Sequence, residues 1–464
     1  MARLTFWGAT GTVTGSRHLL ELNGKKLLID CGLFQGTKQN RLKNWDPFPV
    51  PPETIDGLLL THAHIDHSGY IPRFCRDGFA GRIHCTYPTY DLCEILLRDS
   101  AHLQEEDAAW ANKKGFSKHK PALPLYTVED ANNALAFFSP VYYGEDLFLD
   151  EGLRVKFKDA GHILGSAFVD IKLTNGKKER RIVFSGDIGR PERPLLRDPV
   201  QAFNVDYLIL ESTYGNRRHD NFVPYQDFVR VINESVERGG VLVIPSFAVG
   251  RTQTLLYVIR ELEEQGQIPP LPIYIDSPMA IDATKIFEQR LADLDLTSRV
   301  QVLEGKKLFR PQRLHICKSQ AESKAINQIG SRAIIISSSG MATGGRILHH
   351  LAQRLPHPQN TILFIGFQAE GTRGRALLEG SPTVKIHGQY VPVNAKVESI
   401  SGFSGHADYN ELLAWLMGFN KAPENIFLVH GEPEASQALA EKIRQQFGWK
   451  VTIPEHGQGF ELGL

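Results

Sequence analysis

The feature that most restricts the fold is a regular alternation of strand and helix patterns in the middle of the chain. Four apolar runs, which begin at Val241, Ile273, Ala333 and Thr361, are each followed by a loop and then by a segment of helical composition. Strands that alternate with helices in this way form a parallel sheet with helices on its faces. The middle of the chain therefore predicts an α/β domain.

The two ends of the chain have a different pattern, in which short apolar runs lead into polar loops. The run LLL leads into THAHIDH near the start, and His406 and His430 follow apolar runs near the end. At 464 residues the chain is too long for one hydrophobic core. We therefore expect one domain interrupted by another, with limits at 1–215, 216–388 and 389–464.

Composition narrows the range of partners and compartments. The chain has 52 Lys and Arg against 52 Asp and Glu, so bulk positive charge does not bind nucleic acid here, although a local basic channel remains open. The five cysteines include no Cys-x-x-Cys, which suits a reducing compartment. No apolar run approaches the roughly 20 residues of a membrane span, and no signal-peptide core is present. We expect a soluble cytoplasmic protein without a membrane partner.

The segment HAHIDH contains His62, His64, Asp66 and His67 within six residues. Neutral imidazoles and carboxylates are good ligands for zinc and similar divalent ions. His62 and His64 are two residues apart in a strand-like segment and can point the same way. A single ion would hardly take all four side chains from one short loop, so the pattern predicts two ions side by side. The alternative is a polar loop with histidines by chance, which this spacing disfavours.

Two ions need further ligands, and three candidates lie at loop ends elsewhere in the chain. His162, Asp187 and His430 each follow an apolar run and stand beside a glycine, which allows the backbone to turn tightly into a site. Each of them alone would more often be a structural residue. Together with HAHIDH, they are the predicted remaining ligands.

These motifs resemble those of the metallo-β-lactamase superfamily. HAHIDH matches its His-x-His-x-Asp-His signature, His162 matches its next histidine motif, and Asp187 matches its bridging aspartate. Asp30, at the end of the run KLLID, matches the first motif, and the resemblance implies that it supports ligands rather than binding metal. The implied fold is an α/β protein with an αββα sandwich.

The resemblance extends to the β-CASP nucleases, which carry an inserted α/β domain and three further motifs. Glu211 in ESTYG, His406 in SGHAD and His430 in VHGE match these motifs in order, and the similarity covers essentially the whole chain. The pattern most resembles bacterial and archaeal relatives of the catalytic subunit of the pre-mRNA cleavage and polyadenylation machinery. A histidine at 430 is typical of the RNA-processing branch, whereas the DNA-repair branch typically has valine, so the implied substrate is RNA, most of all single-stranded RNA.

The resemblance also implies how the ligands divide. One ion would take His62, His64 and His162, the other would take Asp66, His67 and His430, and Asp187 would bridge them. Two ions about 3.5–4 Å apart lower the pKa of a shared water and supply hydroxide for attack on phosphorus. The ligand types suit zinc, and manganese or iron remain open.

The resemblance implies roles for two further residues in that reaction. His406 is the candidate general acid for the leaving 3′-oxygen, and Glu211 would orient it and keep it protonated. The alternative is that this pair only ties two domains together. The implied activity is an endonuclease or a 5′-exonuclease on RNA that leaves a 5′-phosphate and a 3′-hydroxyl, and the predicted catalytic residues are Asp66, Asp187, Glu211 and His406.

The alternating block offers candidate contacts to substrate. The segment SSSGMATGGR lies between a predicted strand and a predicted helix, where backbone N–H groups and hydroxyls can meet a phosphate. The alternative for this segment is a close-packed turn, and the sequence favours neither. Three arginines occupy similar loops. The candidates are Arg251, Ser337, Ser338, Ser339, Gly340, Arg373 and Arg375.

Other functions remain open. A small-molecule ester or thioester hydrolase on a metallo-β-lactamase core is one alternative, which the long insertion together with Glu211, His406 and His430 disfavours. A DNA-directed β-CASP nuclease is another. A scaffold without catalytic activity would be expected to have lost ligands, whereas here each expected ligand is present. The sequence also leaves open whether the protein is a monomer or a homodimer.

Overall fold

The computed structural model describes residues 2–22, 24–115, 117, 119–175, 178–219 and 225–463. The chain divides into two compact units. The domain limits expected from the sequence stay a prediction, and residues 389–405, which those limits assign to the first domain, belong to the second unit. The first unit comprises Met1–Glu192, Asp198–Arg218 and His406–Leu464, and the second comprises Arg193–Arg197 and His219–Gly405.

Two seven-stranded sheets form the centre of the first unit within the described residues. The strands of its first sheet are β1 (Ala2–Phe6), β2 (His18–Leu22), β3 (Lys25–Ile29), β4 (Gly57–Leu59), β5 (Arg82–Thr86), β6 (Phe138–Val141) and β22 (Gly459–Leu462). Their order is β22-β1-β2-β3-β4-β5-β6. Pairing is antiparallel from β22 to β3 and parallel from β3 to β6.

The second sheet of this unit has the same mixed character. Its strands are β7 (Leu147–Asp150), β8 (Leu153–Asp159), β9 (Ala167–Asn175), β10 (Lys178–Phe184), β11 (Tyr207–Glu211), β20 (Asn425–Val429) and β21 (Val451–Thr452). Their order is β21-β20-β11-β10-β9-β8-β7. Pairing is parallel from β21 to β10 and antiparallel from β10 to β7.

Helices cover the outer faces of this pair of sheets. Because α4 packs against β5 and β6, and α14 against β20 and β21, the layers follow the order helix, sheet, sheet, helix. The predicted αββα sandwich is therefore confirmed. The helices of the first unit are α1 (Lys38–Leu42), α2 (Ile65–Ser68), α3 (Ile71–Arg76), α4 (Tyr87–Lys114), α5 (Val128–Leu135), α13 (Tyr409–Met417) and α14 (Pro433–Phe447).

The core of the sandwich lies between its two sheets. In β8, Leu153, Val155 and Phe157 are buried while the residues between them are partly exposed, as the period of a strand requires. Phe6 of β1 meets Phe427 of β20 across the layer, with ring centroids 5.3 Å apart. Burial of apolar side chains from both sheets is what holds the layers together.

The second unit is built on a parallel sheet. Its main strands are β12 (Val241–Pro245), β13 (Ile273–Asp276), β14 (Leu314–Ile316), β15 (Ala333–Ser337), β16 (Thr361–Phe364) and β19 (Lys396–Ser399). They pair in the order β14-β13-β15-β12-β16-β19, in parallel throughout. A separate antiparallel hairpin consists of β17 (Thr383–Ile386) and β18 (Gln389–Pro392).

Helices flank this parallel sheet, as the alternation predicted. All residues of β12 and β15 are buried, and α6 and α11 both pack against β12. A strand that is apolar along its whole length must be covered on both faces. The helices of this unit are α6 (Gln226–Glu237), α7 (Arg251–Glu264), α8 (Pro278–Gln289), α9 (Leu296–Leu303), α10 (Gln320–Ala325), α11 (Ile347–Arg354) and α12 (Arg373–Leu378).

The structure can be compared with two expectations drawn from composition, which concern the cysteines and membrane-spanning segments. The five cysteines, Cys31, Cys75, Cys85, Cys93 and Cys317, are all free thiols. Among the described helices, none combines the length and the apolar character that crossing a bilayer requires.

Candidate metal centre

Strand ends bring the predicted ligands to one edge of the sandwich. Asp30 follows β3 and His62 follows β4 by three residues, while Asp187 and His430 come just after β10 and β20. The carboxyl ends of parallel strands lie on the same edge of a sheet, which is where layered α/β proteins gather their functional groups. His162 joins them from the loop between β8 and β9, while Asp66 and His67 lie on α2.

The first group of ligand atoms comes from His62, His64, His162 and Asp187. The Nδ1 atom of His64 lies 3.2 Å from Nε2 of His62 and 3.2 Å from Nε2 of His162. The Oδ2 atom of Asp187 lies 3.3 Å from Nε2 of His62 and 3.5 Å from Nε2 of His162. One atom from each of the four side chains therefore faces a common point, and these atoms lie within 4.8 Å of one another.

The second group comes from Asp66, His67 and His430, whose ligand atoms also lie within 4.8 Å of one another. The Nε2 atom of His430 is 3.4 Å from Oδ2 of Asp66. The Oδ1 atom of Asp187 is 3.4 Å from Nε2 of His67 and 3.6 Å from Nδ1 of His430. The two carboxylate oxygens of Asp187 therefore face different groups, as a bridging ligand requires.

Buried polar atoms test whether these residues fit metal ions. The Nε2 atom of His67 and the Oδ1 atom of Asp187 are inaccessible to water and, although they face each other at 3.4 Å, they form no hydrogen bond within the part of the chain that the structure describes. Buried polar atoms in folded proteins almost always have a partner. Three imidazole nitrogens also converge at 3.2 Å, and a cation between them could use all three lone pairs, whereas the Nδ1 atom of His64 can share one proton with only one neighbour. The residues therefore fit a pair of divalent ions.

Three contacts orient the imidazoles of this centre. Nδ1 of His67 lies 2.7 Å from Oδ2 of Asp30, Nδ1 of His62 lies 3.0 Å from Oγ1 of Thr61, and Nδ1 of His430 lies 3.0 Å from Oγ1 of Thr213. Each of these oxygens can accept a proton donated by Nδ1, an arrangement that leaves the lone pair of Nε2 for the site when the imidazole is neutral. Asp30 thus contacts the predicted ligand His67, and its role as a support stays a prediction.

The protonation of the histidines suits metal binding. Burial lowers the pKa of His64 to about 3, and it also lowers the pKa of His62 and His162, where neighbouring imidazoles add to the effect. These three side chains are therefore neutral at pH 7. Neutral imidazole is the form that donates a lone pair to a metal ion.

The carboxylate between the groups is ionised in spite of its burial. Burial alone would raise the pKa of Asp187, but the charges of His430 and His67 hold it well below its usual range. In the opposite sense, burial disfavours the charged form of His67, while Asp187 and Asp30 raise its pKa well above the usual value. The pocket thus stabilises negative charge on Asp187 by keeping positive charge near it.

Glu211 and His406 form a pair next to the first group. The carboxylate of Glu211 is fully buried, and its Oε2 and Oε1 atoms lie 3.2 and 3.3 Å from Nδ1 of His406. The backbone N–H of Ile188 donates to Oε1 of Glu211 at 2.7 Å, which fixes the carboxylate. The ring of His406 lies 4.4 Å from that of His162 between centroids, and its side chain is 16% exposed. One edge of this imidazole can therefore meet a ligand from solvent.

Comparison with protein families accounts for nearly the whole chain. Residues 13–220 match the metallo-beta-lactamase superfamily, and residues 252–377 match the Beta-Casp domain. Residues 390–454 match the Zn-dependent metallo-hydrolase RNA specificity domain. The three matches follow one another in the order of the chain.

Individual relatives are similar over the full length. Ribonuclease TTHA0252 of Thermus thermophilus is 37% identical over 461 residues, which cover 98% of this chain and 99% of that protein. This chain belongs to the β-CASP family of the metallo-β-lactamase superfamily. Transcription termination factor FttA of Methanocaldococcus jannaschii is 32% identical to this β-CASP protein over 97% of the chain and 70% of its own length. The FttA of Pyrococcus abyssi is likewise 32% identical, over 98% and 70%.

A solved structure shares the fold of this β-CASP protein. A crystal structure of a protein of unknown function from Enterococcus faecalis V583 aligns with a TM-score of 0.52 and 11% identity. The alignment covers 99% of this chain and 100% of that one. At this level of identity the likeness concerns the fold alone.

Sequence reasoning missed two residues that the site of this β-CASP protein uses. Thr61 and Thr213 hold His62 and His430, although neither was a candidate. Thr61 immediately precedes HAHIDH and Thr213 follows Glu211 by two residues, so a hydroxyl side chain beside a ligand motif is the signal that could have found them. Gly186 has φ +53, and a Cβ atom there would lie 2.8 Å from Cβ of Thr61, so glycine is needed for the close approach.

The serine-rich candidates lie at the carboxyl end of β15 in the second unit, and their hydroxyls contact neighbouring residues. Ser337 donates to the carbonyl of Asp276 at 2.8 Å, and Ser338 donates to Oγ of Ser277 at 3.1 Å. Ser339 is within 3.0 Å of the Thr343 hydroxyl, and a Cβ atom at Gly340 would lie 2.6 Å from the ring of Phe247. These contacts are those of the close-packed turn, so a role in substrate binding stays a prediction.

The three candidate arginines lie in the same unit, Arg251 on one helix and Arg373 and Arg375 on another. Arg251 begins α7, and Arg375 of α12 pairs at 2.6 Å with Glu379, the residue just after that helix. Arg373 donates from Nε to the carbonyl of Lys385 at 2.7 Å and from Nη1 to that of Thr343 at 2.9 Å. Arg373 therefore ties α12 to the loop after β15, and contact of these arginines with substrate stays a prediction.

Proposed function

We propose that this β-CASP protein is a metal-dependent ribonuclease that hydrolyses phosphodiester bonds of RNA. The observation that carries the proposal is the pair of ligand groups joined by Asp187, with the Glu211–His406 pair beside them. The name of the Thermus relative, a ribonuclease, and the match of residues 390–454 to an RNA specificity domain support RNA as substrate. A 5′-phosphate and a 3′-hydroxyl are the products of this route.

Two divalent ions, with zinc the best suited, are the cofactors of the proposal. His62, His64 and His162 would hold one ion, Asp66, His67 and His430 the other, and Asp187 would contact both. When bound, a pair of such ions supplies Lewis-acid activation of water near neutral pH and neutralises charge on the phosphate. Imidazole and carboxylate together favour zinc among the common divalent ions.

The leaving group is served by His406. Its Nδ1 atom is held by Glu211, and we assign to Nε2, on the opposite side of the ring, the proton transfer to the departing 3′-oxygen. Glu211 is a positioning residue, because its buried carboxylate fixes the ring and favours its charged form. The 2′-hydroxyl of RNA takes no part in this step.

The carboxylates of Asp66 and Asp187 differ in their exposure to solvent. The side chain of Asp66 is 20% exposed, whereas that of Asp187 is 1% exposed. Asp66 can therefore accept a hydrogen bond from the attacking water, while Asp187 stays between the two groups. This division gives each of the two predicted catalytic aspartates its own role.

End-labelled RNA and DNA with triphosphate, monophosphate or hydroxyl 5′-ends test the proposal on the purified protein. We expect cleavage of RNA with 5′-phosphate products, and a loss of at least about 10³-fold in rate for Asp187→Asn. His102→Asn, which changes an exposed histidine of α4, is the control and should leave the rate unchanged. The pattern of fragments separates endonuclease from 5′-exonuclease.

Two results would overturn the ribonuclease proposal. Equal cleavage by Asp187→Asn and the parent protein would show that the nuclease activity comes from elsewhere. Hydrolysis of esters or thioesters without cleavage of RNA would favour the small-molecule hydrolase, and cleavage of DNA alone would favour the DNA-directed branch.

A further inference from the structure

A small cavity lies beside the second ligand group, between the two sheets of the first unit. The polar residues that line it are Ser16, His18, Asp30, Thr61, His67, Ser185 and His430. The space open to the centre of a water-sized sphere is about 10 Å³. A volume of that size is about what one water molecule requires, and the cavity is lined by both polar and apolar side chains.

His18 is the imidazole of this cavity that is not one of the predicted metal ligands. It begins β2, is 3% exposed, and its Nδ1 atom forms no hydrogen bond with any described residue. Its ring packs between Phe6 and Phe184, with centroid distances of 5.4 and 6.3 Å. A buried polar group without a hydrogen-bond partner destabilises a fold. A hydrogen-bond partner for this ring is therefore expected inside the cavity.

The protonation of His18 determines what that partner must offer. Burial lowers the pKa of His18 to about 4, so the imidazole is neutral at pH 7. A neutral imidazole has one N–H donor and one acceptor nitrogen. Water can act as either donor or acceptor, so it suits this ring whichever nitrogen carries the proton.

Asp30 connects the cavity to the metal centre. Its Oδ2 atom accepts from Nδ1 of His67 at 2.7 Å and from Oγ1 of Thr61 at 2.9 Å, while Oδ1 accepts from the backbone N–H of Thr61 at 2.8 Å. A carboxylate oxygen has two lone pairs, so Oδ1 can accept one more hydrogen bond. Asp30 also has φ 60, a left-handed conformation that a non-glycine residue needs local contacts to maintain.

We propose that one ordered water molecule fills this cavity and hydrogen-bonds to His18 and Asp30, so that His18 is a positioning residue for His67 of the metal centre. The water holds the carboxylate of Asp30, and the carboxylate holds the tautomer and orientation of His67. The inference rests on the metal centre of the proposed function but not on RNA being the substrate.

Two variants of His18 separate hydrogen bonding from packing. His18→Phe keeps a ring between Phe6 and Phe184 but removes both nitrogens, whereas His18→Gln keeps a donor and an acceptor. His84→Phe is the matched control, because His84 is a buried histidine of the same sheet, on β5, and does not line the cavity.

Zinc affinity, measured by competition with a chromophoric chelator, is the first readout. We expect His18→Phe to weaken binding of one of the two ions about tenfold, the lower end of the effect of outer contacts on a metal site. His18→Gln should restore most of the affinity, and His84→Phe should match the parent. A merely structural role of His18 would lower the melting temperature of the metal-free protein without this difference between Phe and Gln.

A crystal structure of the metal-free protein at a resolution that shows ordered water is the second readout. Density for one water within hydrogen-bond distance of His18 and Asp30 is expected in the parent and is expected to be lost in His18→Phe. An empty cavity in the parent, or equal zinc affinity of His18→Phe and the parent, overturns the inference. If the parent protein binds no zinc, the proposed metal centre itself is wrong. If the parent binds zinc and His18→Phe binds it equally well, only the role of His18 is wrong.

Discussion

Thr61 follows β4 of the first sheet by two residues and contacts side chains of the metal centre. Its Oγ1 atom donates to Asp30 at 2.9 Å and lies 3.0 Å from Nδ1 of His62. A threonine hydroxyl has one proton and two lone pairs, so it can serve both neighbours at once. One small side chain thereby sets the orientation of a ligand and of the carboxylate that supports another ligand.

Replacement of Thr61 by valine tests this double role, because valine has the same shape and lacks the hydroxyl. We expect zinc affinity to fall about 10- to 100-fold, since contacts to a ligand set its tautomer and orientation. Chelator competition measures this change. Thr54→Val, which removes a hydroxyl that caps an exposed turn, is the control, and equal loss in both variants would contradict the assignment.

Glu211→Gln tests the pair with His406 at the same scale. Glutamine keeps the size of the side chain but removes the charge that favours protonated His406. We expect kcat on RNA to fall about 10²- to 10⁴-fold with KM little changed, the range typical of lost general acid catalysis. Steady-state rates measure the split, and zinc content should remain that of the parent. Unchanged kcat would favour a purely structural role for the pair.

At the scale of elements, one buried aspartate joins several parts of the second unit. Asp276 ends β13 and is fully buried. It accepts from Ser323 of α10 at 2.6 Å, from Nη1 of Arg346 at 2.8 Å, and lies 2.7 Å from Nε2 of His350 on α11. Burial alone would raise the pKa of Asp276, but these hydrogen bonds and the charge of His350 lower it below the usual value.

The pH dependence of this network follows from the direction of that shift. A carboxylate whose pKa is lower in the folded state stabilises the fold above its unfolded pKa of about 3.9, and the stabilisation is lost as the pH falls through the folded value. We expect Asp276→Asn to reduce the opening free energy of β13 and β15 by about 2 kcal/mol at pH 7. The difference from the parent should shrink at pH 3.

Hydrogen exchange is the measurement that fits this prediction, because the five tryptophans of the chain, at 7, 45, 110, 415 and 449, lie in the first unit and report little on the second. Asp282→Asn, at an exposed position of α8, is the control and should leave protection unchanged. A difference between Asp276→Asn and the parent that grows toward pH 3 would contradict the assigned direction.

The strands and helices of the second unit were predictable because each is specified by a pattern of neighbouring residues in the sequence. Apolar runs of four or five residues became β12, β13, β15 and β16, and the segments behind them became helices. The contacts of Asp276 were not predictable, since they join residues 47, 70 and 74 positions apart. Periodicity predicts that a strand is buried, but not which polar side chains of other elements meet its end.

At the scale of the whole molecule, the metal centre depends on distant segments of the chain. Asp66 and His430 lie 364 residues apart in sequence, with their nearest side-chain atoms 3.4 Å apart. Binding of an ion to such a site stabilises the folded state, because the unfolded chain offers no preformed site. Stability and metal loading are therefore linked.

Removal of metal should lower the stability of the first unit. At a free zinc concentration about 100 times the dissociation constant, one site stabilises the folded state by about 2.7 kcal/mol. We expect the melting temperature followed by tryptophan fluorescence to fall on treatment with a chelator and to recover when zinc is added. Asp187→Asn should show a much smaller response, and a parent protein that is insensitive to both treatments would argue against resident ions.

Part of the metal centre was also predictable, because its ligands lie in short sequence motifs. HAHIDH is a dense motif, and His162, Asp187 and His430 stand at the ends of apolar runs, so residue type and position were enough to select them. Thr213 contacts His430, which lies more than 200 positions away in the sequence. His18 lines the cavity together with Asp30, more than 10 positions away. Hydroxyl and imidazole side chains are too common for the sequence alone to single out these two residues. The contacts that connect these residues to the metal centre exist only in the folded protein.

The order of the ligands along the chain has a consequence for protein synthesis. Translation produces HAHIDH early, whereas His406 and His430 follow the whole of the second unit, and β22, the partner of β1, comes at 459–462. A nascent polypeptide that stalls on the ribosome before these residues lacks part of both the second ligand group and the acid pair. Premature arrest therefore releases a fragment whose metal centre is incomplete.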